Sequence, residues 1–293
     1  MHTYLESAGF GSIKGRRELD RLVSDTVLHF DEKNIFEDEE GTLMAEFSRD
    51  YAPGIGLTVC GEFDDTGDFH PEYSFPYFKG AGVSSEEEVS LEKHAGKESF
   101  AGACDDPRVG VTMIFYLINM GEFLSKKTKM PENEVPGPVK FSALAKEGEI
   151  LLPVRKDKNS EKEYRKQAQE YSKLVNAARF GDEEAIESLT LEDIDIYAMI
   201  SERLEKEDVL SIVDTSFMPY GIECDQYSII GTIITCEKVR NIYTGEHIYE
   251  MEVEICDIHM DLCINAERLF GEPKPGRRFK GLVWLQGDVC FNG

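Results

Sequence analysis

Apolar residues occupy every second position through much of the last third of the chain, and this alternation constrains the fold most. The pattern runs on both sides of Cys256-Asp257, through Met251, Val253 and Ile255 and then Ile258, Met260, Leu262 and Ile264. A two-residue hairpin that pairs Ile255 with Ile258 keeps all of these side chains on one face of a sheet. The pattern therefore predicts two antiparallel strands with a shared apolar interior.

The residues around this hairpin predict the rest of a small barrel. A long strand is expected over Tyr227–Val239, and Asn265 is expected to cap a helical turn. Phe279 to Leu285 reads as a fourth strand and Asp288 to Phe291 as a fifth. The order strand, strand, strand, helix, strand, strand is that of a closed barrel of the OB type. We therefore predict an OB-like barrel over residues 223–293.

The first half of the chain has a different organisation. Leu19, Leu22, Val23 and Val27 follow helical spacing, and alternating runs around residues 43–47, 55–59 and 73–77 predict strands. Val109–Leu117 reads as a central strand, 139–154 as a hairpin, and Ser84–Lys97 as an exposed loop. Residues 1–154 are thus predicted to form an α+β domain, with helices packed on an antiparallel sheet.

Residues 155–222 have the period of helices rather than strands. Ser160 with Glu163 fits a capping box, and apolar residues follow at helical spacing until Pro219 and Gly221 interrupt the pattern. We predict a helical connector here. The whole chain is therefore expected to be α+β and to have three parts.

Charge and composition limit the functions that this chain can have. The formal net charge is −25 over 293 residues, and a surface this negative repels phosphate backbones and anionic membranes. No apolar run is long enough for a membrane helix, and the N-terminus does not resemble a signal peptide. Seven scattered cysteines are typical of reduced thiols. These features predict a cytoplasmic protein with no membrane partner.

Three patterns could carry chemistry, and each is better explained by structure alone. Cys256, His259 and Cys263 mix possible metal ligands, but a structural zinc site usually needs four ligands, often in CxxC pairs. Gly9–Gly15 lacks the spacing of a phosphate-binding loop. Cys104 and His94 could act as nucleophile and base, but nothing in the sequence brings them together. No catalytic residue, cofactor or metal site is therefore predicted.

The hairpin register makes one further prediction about the outer face of the barrel. It places Glu252 opposite Asp261 and Glu254 opposite His259. A like-charge pair directly across two strands is destabilising, and a cation or a covering partner would relieve it.

Basic and aromatic residues of the tail are candidate binding residues. Lys274, Arg277, Arg278 and Lys280 cluster before the fourth strand, and another basic cluster spans residues 155–173. OB modules can bind single-stranded nucleic acid on such surfaces, but the acidic outer face opposes phosphate contacts. The predicted partner is therefore a protein. Trp284, Tyr249 and Arg278 are the predicted contacts. Trp284 is expected to point out of the barrel and to pack on the helical connector or on a partner protein.

Several blocks of sequence resemble a known family. They are Phe100-Ala101-Gly102-Ala103-Cys104-Asp105-Asp106, Gly110–Asn119, Glu207–Val213, Phe217–Tyr227 and Gly281–Gly287. Together they resemble a family of uncharacterised proteins of about this length from Gram-positive anaerobic bacteria. The resemblance implies a bacterial cytosolic setting, and it supplies no catalytic residues.

Three functions remain open at this point. The leading one is a non-enzymatic binding or adaptor protein, because no nucleophile, base and cofactor loop converge. The second is an enzyme of unrecognised type, with a cleft between the first domain and the connector. The third is a weak binder of single-stranded nucleic acid through the OB-like module.

Overall fold

The computed structural model describes residues 3–37, 41–94, 99–127, 138–154 and 213–290. β-Strands make up most of these residues, and the two α-helices among them are short. The α+β prediction is therefore confirmed only in part, since strands dominate both halves of the chain. An antiparallel sheet in the first half and a barrel in the second are both present.

The first sheet has four antiparallel strands in chain order: β1 (Glu32–Glu37), β2 (Leu43–Ala52), β3 (Ile55–Phe63) and β4 (Phe69–Phe78). Helix α1 (Arg16–Leu28) packs against it through the buried residues Leu22 and Thr26. The Thr26 hydroxyl lies 2.9 Å from the Tyr51 hydroxyl of β2. The predicted helix and the three alternating strands are present. Leu22 shares one core with apolar residues of β3 and β4, whereas Leu43 of β2 is exposed.

The second sheet has ten strands. They are β5 (Val89–Lys93), β6 (Phe100–Cys104), β7 (Met113–Leu117), β8 (Val139–Leu151), β9 (Ser216–Pro219), β10 (Gln226–Arg240), β11 (His247–Ile255), β12 (Ile258–Asn265), β13 (Leu269–Phe270) and β14 (Arg278–Val289). Helix α2 (Met120–Lys127) follows β7, a 3₁₀ turn (Ala266–Arg268) follows β12, and a π-type turn (Glu6–Phe10) precedes α1.

Five of these strands close into a barrel. Their order is β8, β12, β11, β10, β14 and back to β8, and only the β12–β8 pair is parallel. The predicted hairpin is confirmed, because Ile255 pairs with Ile258. Cys256 and Asp257 have φ values of 50° and 61°, as a two-residue type I′ turn requires. The apolar residues on both sides of that turn are buried inside the barrel.

The strand that closes the barrel differs from the prediction. β14 runs unbroken to Val289, so the predicted fourth and fifth strands are one strand. The closing strand is β8, which was predicted to be a hairpin because Glu147-Gly148-Glu149 resembles a turn. Gly148 instead gives room to a neighbour: a Cβ there would lie 2.3 Å from the Phe279 ring. The glycine permits close packing within a continuous strand.

Two other segments also differ from the predictions. Ser84–Lys97 is not simply an exposed loop, because it contains β5, and Ser84 and Ser85 are buried. The strand predicted over Val109–Leu117 begins only at Met113, although Met113, Phe115 and Leu117 are buried as expected.

The predicted connector lies mostly outside the described residues. Its described end, Ser216–Pro219, is the strand β9, which pairs with β10. The three-part division of the chain stays a prediction. However, strand β8 of the predicted first domain belongs to the barrel.

Polar side chains join the two sheets. Gln286 of β14 is fully buried, and its amide accepts from Phe78 N (3.0 Å) and donates to Pro76 O (2.8 Å). These bonds satisfy both groups of a buried amide, so the end of β4 is fixed against the barrel wall.

Candidate functional site

An acidic cleft of about 430 Å³ lies on the outer face of the barrel. One wall consists of strands β10, β11 and β12. The other consists of the β2–β3 turn at Pro53 and Gly54 and the segment that follows β4. The carboxylates that line the cleft are Glu237, Glu250, Glu252 and Asp261.

The strand register brings these carboxylates together. Met251 and Val253 point into the barrel. Because side chains alternate along a strand, Glu250 and Glu252 must point outward. Glu250 pairs with Glu237 of β10, and Glu252 pairs with Asp261 of β12. Two like-charge pairs therefore lie side by side. The Glu252–Asp261 pair confirms the register prediction, whereas the Glu237–Glu250 pair was missed.

Glu250 is the most perturbed carboxylate of the cleft. Burial, followed by the nearby charges of Glu237 and Asp261, raises the pKa of Glu250 to about 7. Its Oε1 atom is buried and has no hydrogen-bond partner among the described residues. A buried oxygen without a partner is unfavourable by about 1–3 kcal/mol, more if it is charged. A donor that enters the cleft would remove this penalty.

The other cleft carboxylates have partial compensation. Asp261 accepts a hydrogen bond from Ala81 N at 2.7 Å, although burial still raises its pKa. Glu252 lies 2.9 Å from His259 Nδ1. Lys79 also lines the cleft, but its Nζ is 2.8 Å from Glu32 Oε1 on the first sheet. Within the described chain, no ion pair neutralises Glu237, Glu250 or Asp261. The cleft can therefore accept a cation with several N–H donors.

Sequence reasoning missed the cleft because half of it comes from the other sheet. The register of β11 and β12 was readable, and it gave the outward carboxylates. The turn at Pro53 and the approach of Ala81 to Asp261 depend on how the two sheets pack. No local pattern in the sequence encodes this contact, which joins residues 180 positions apart.

The three predicted contact residues lie in different places. Trp284 is 4% exposed, and it points toward the first sheet rather than toward solvent. Its ring lies 5.5 Å from the Tyr4 ring and 5.0 Å from the Tyr116 ring, and Nε1 donates to Asp225 Oδ2 at 2.6 Å. The side chain points out of the barrel as predicted, and the N-terminal segment covers this face of β14 and buries the ring.

Arg278 and Tyr249 are not fully exposed surface residues either. Arg278 is 3% exposed and donates to the carbonyls of Leu152 (2.9 Å) and Val213. Tyr249 is half-buried at the edge of the barrel core, with Lys238 Nζ 5.4 Å from its ring centre. The prediction that these residues contact a partner has not been tested. Only Tyr249 keeps part of its side chain accessible.

Cys104 and His94 do not form a catalytic pair. Cys104 pairs with Val89 at one end of the β5–β6 hairpin, and His94 follows the other end. The thiol is buried near the Ser85 hydroxyl, and burial raises the pKa of Cys104. His94 stacks on Tyr116 at 6.2 Å and contacts Ser99 Oγ at 2.9 Å. The protonated thiol would be a poor nucleophile.

The N-terminal turn covers one of the three possible metal ligands, Cys256, His259 and Cys263. Cys263 points out of the barrel but is fully buried, with its thiol 3.8 Å from Ser7 O. Cys256 contacts Thr215. No group of three or more possible ligands in the described part of the chain could hold a metal ion.

The glycine-rich stretch Gly9–Gly15 has its amides occupied. Glu246 accepts from Gly11 N at 2.9 Å and from Ser12 N at 2.6 Å. Asn265 Nδ2 also donates to Glu246. A carboxylate thus takes the place that a phosphate would need, because it binds the same N–H groups.

Comparison with protein families identifies one family. The model of the family described as "Domain of unknown function, E. rectale Gene description" (DUF3881) matches residues 5–287. The chain belongs to the DUF3881 family. No curated protein and no solved structure matches it. The DUF3881 match spans both sheets and the barrel, so it confirms the resemblance to an uncharacterised family.

Two further features of this DUF3881 chain bear on its partners. Across the described ranges, none of its helices is long and apolar enough to span a bilayer. Two of the basic residues around the start of β14 form ion pairs nearby: Lys274 with Glu272 at 2.9 Å and Lys280 with Glu149 at 2.6 Å. The basic cluster at 155–173 lies outside the described residues.

Proposed function

We propose that this protein is a non-enzymatic binding or adaptor protein whose acidic cleft receives a basic side chain of a partner protein. The observation that carries this proposal is the Oε1 atom of Glu250, which is buried and unpaired beside two other carboxylates. An arginine or lysine of a partner supplies both the positive charge and the N–H donors that this oxygen lacks. It would also relieve both like-charge strand pairs.

The barrel topology supports a binding role by analogy. We infer that the barrel is an OB-like module in permuted order. β10, β11 and β12 take the place of the first three strands, β14 the fourth, and β8 the fifth. The support is the pairing order, an antiparallel three-strand meander closed by one parallel pair between β12 and β8. Glu252 and Asp261 then lie on the second and third strands, the face that OB modules commonly use.

The charge of the chain favours a basic protein over nucleic acid. The net charge of −25 and the carboxylates of the cleft both repel phosphate. The same charge accelerates encounter with a basic partner. We place this interaction in the cytoplasm, in keeping with the cysteine content, since all cysteines of the described residues are free thiols.

A peptide-binding experiment tests the cleft. The probe is a fluorescent ten-residue peptide of alternating arginine and glycine, titrated with the full-length protein at 0.15 M NaCl. We expect Glu250→Gln to weaken binding about tenfold, equivalent to about 1.4 kcal/mol. Glu254→Gln is the matched control, because it removes the same charge from the same strand outside the cleft. We expect it to weaken binding less than about twofold.

Two outcomes would contradict the proposal. Equal losses from Glu250→Gln and Glu254→Gln would mean that the peptide only senses net charge. Binding of single-stranded oligo(dT) that competes with the peptide and weakens steeply with salt would favour a nucleic-acid site instead.

A further inference from the structure

A second perturbed carboxylate lies in the interior, far from solvent. Glu46 of β2 is 2% exposed. Its Oε2 accepts a hydrogen bond from Gly121 N at 2.8 Å, and its Oε1 lies 3.8 Å from the Cys60 thiol. Gly121 is the second residue of α2, so the carboxylate binds an N–H of the first helical turn. This contact joins the first sheet to α2.

The groups around Glu46 carry no positive charge. Cys60 of β3, Tyr73 of β4 and Tyr116 of β7 interact with it electrostatically, and all three are neutral acids at pH 7 because burial raises their pKa values. Gly121 of α2 lies against both Glu46 and Asn34 of β1, and neither Gly121 nor Asn34 is charged. No Lys or Arg of the described chain forms an ion pair with Glu46. The negative charge therefore has hydrogen bonds but no counter-ion.

The approach of α2 to this carboxylate depends on a glycine. A Cβ at residue 121 would lie 2.4 Å from Glu46 Oε2 and 2.6 Å from Asn34 Cβ. Any larger residue would force the helix away from β1 and β2. Gly121 thus allows close contact where the Glu46 carboxylate meets the first turn of α2.

We propose that protonation of Glu46 controls the docking of α2 on the first sheet, so that α2 binds closely when Glu46 is neutral and loosens when it ionises. When docked, the charged form is shielded from water and has no cation nearby. When α2 moves away, water can solvate the carboxylate. The docked helix and the proton therefore favour each other, by reciprocal linkage.

The electrostatics set the direction and the pH range. The Gly121 N–H favours the charged form of Glu46, but burial is the larger effect and raises the pKa of Glu46 to about 7, against 4.5 for the solvated group. Docking is therefore favoured fully below the solvated value and weakens as pH rises through 7. Linkage of two such pKa values changes the docking equilibrium about tenfold between pH 6 and pH 8.

Hydrogen exchange of the full-length protein tests this device. Amide protection of α2 is measured by mass spectrometry at pH 6 and pH 8, after correction for the intrinsic exchange rate. In the wild type, protection of α2 is expected to fall about tenfold more than that of β10. In Glu46→Gln the difference between the two pH values should disappear. Glu62→Gln, a neighbouring carboxylate on β3, is the control and should retain it.

Direct titration of Glu46 provides a second measurement that needs no folded variant. The ¹³C resonance of its side-chain carboxyl should titrate near pH 7, and α2 amides should shift with the same midpoint. A carboxyl that titrates below pH 5 would overturn the proposal. So would α2 protection that falls equally in the wild type and in Glu46→Gln.

Discussion

Glu46 between the sheets and Glu250 on the barrel surface share a pKa raised to about 7, and the causes differ. Glu46 is wholly buried, so desolvation raises its pKa, and the hydrogen bond from Gly121 N opposes this only in part. Glu250 is half-buried, and like charges across the strand and across the cleft add to the effect. The first carboxylate can be relieved only by moving a helix. The charge of Glu250 can be compensated by a cationic group that binds from solution. The raised pKa of Glu46 thus points to a conformational change, and that of Glu250 points to binding.

The largest expected effect comes from removing the buried aromatic ring of Trp284. Trp284→Ala deletes the ring that packs on Tyr4 and Tyr116 and leaves half-buried Asp225 without its indole donor. We expect the free energy of unfolding to fall by about 3–5 kcal/mol, as for other buried aromatics. Urea denaturation followed by circular dichroism measures this.

The control for this change is Tyr249→Ala, because Tyr249 is only half-buried at the barrel end. It should be less destabilising by at least about 1 kcal/mol. A Trp284→Ala protein as stable as the wild type would show that the contacts of Trp284 do not stabilise the fold.

Glu46→Gln gives the next largest effect, and its sign depends on pH. Because the pKa of Glu46 is raised in the folded state, the carboxylate contributes no penalty at pH 4 and an increasing one as pH rises through 7. The full difference between 4.5 and about 7 corresponds to roughly 3 kcal/mol. The variant should therefore gain stability over the wild type at pH 8.5 and not at pH 4. Thermal unfolding at both pH values checks this, and a constant difference would contradict it.

Glu250→Gln should give the smallest effect, and only this one should depend on salt. The sign is the same, because stability is lost as pH rises through about 7. Since Glu250 is partly exposed, solvent screening reduces the gain of the variant to about 1 kcal/mol at pH 8.5. Part of the penalty is Coulombic, so 1 M NaCl should shrink it. The effect at Glu46 should stay nearly constant with salt, and equal salt dependence would erase the distinction between the two regions.

The sequence predicts the barrel hairpin well because its information is local. Period-two spacing on both sides of Cys256-Asp257 allows one register, and a slip by one residue would expose every apolar side chain. The same register predicts the Glu252–Asp261 pair of the cleft. Helix α1 was predictable for a similar reason, since Leu22 repeats at helical spacing with its neighbours.

Other features depend on packing between distant residues. Glu147-Gly148-Glu149 resembles a turn in the sequence. In the structure the glycine instead leaves room for the Phe279 ring of another strand. Trp284 looked outward by alternation, and only the N-terminal segment that covers β14 makes it buried. The second wall of the cleft comes from the first sheet. Each of these depends on contacts that span more than a hundred residues, which a local pattern does not encode.

Arg278 has a consequence for how this chain can vary. Its guanidinium holds the carbonyl of Leu152, where the chain leaves the barrel, and that of Val213, where it comes back. One side chain thus fastens both ends of the intervening stretch at the same rim. A substitution at Arg278 would therefore release both of these carbonyls at once.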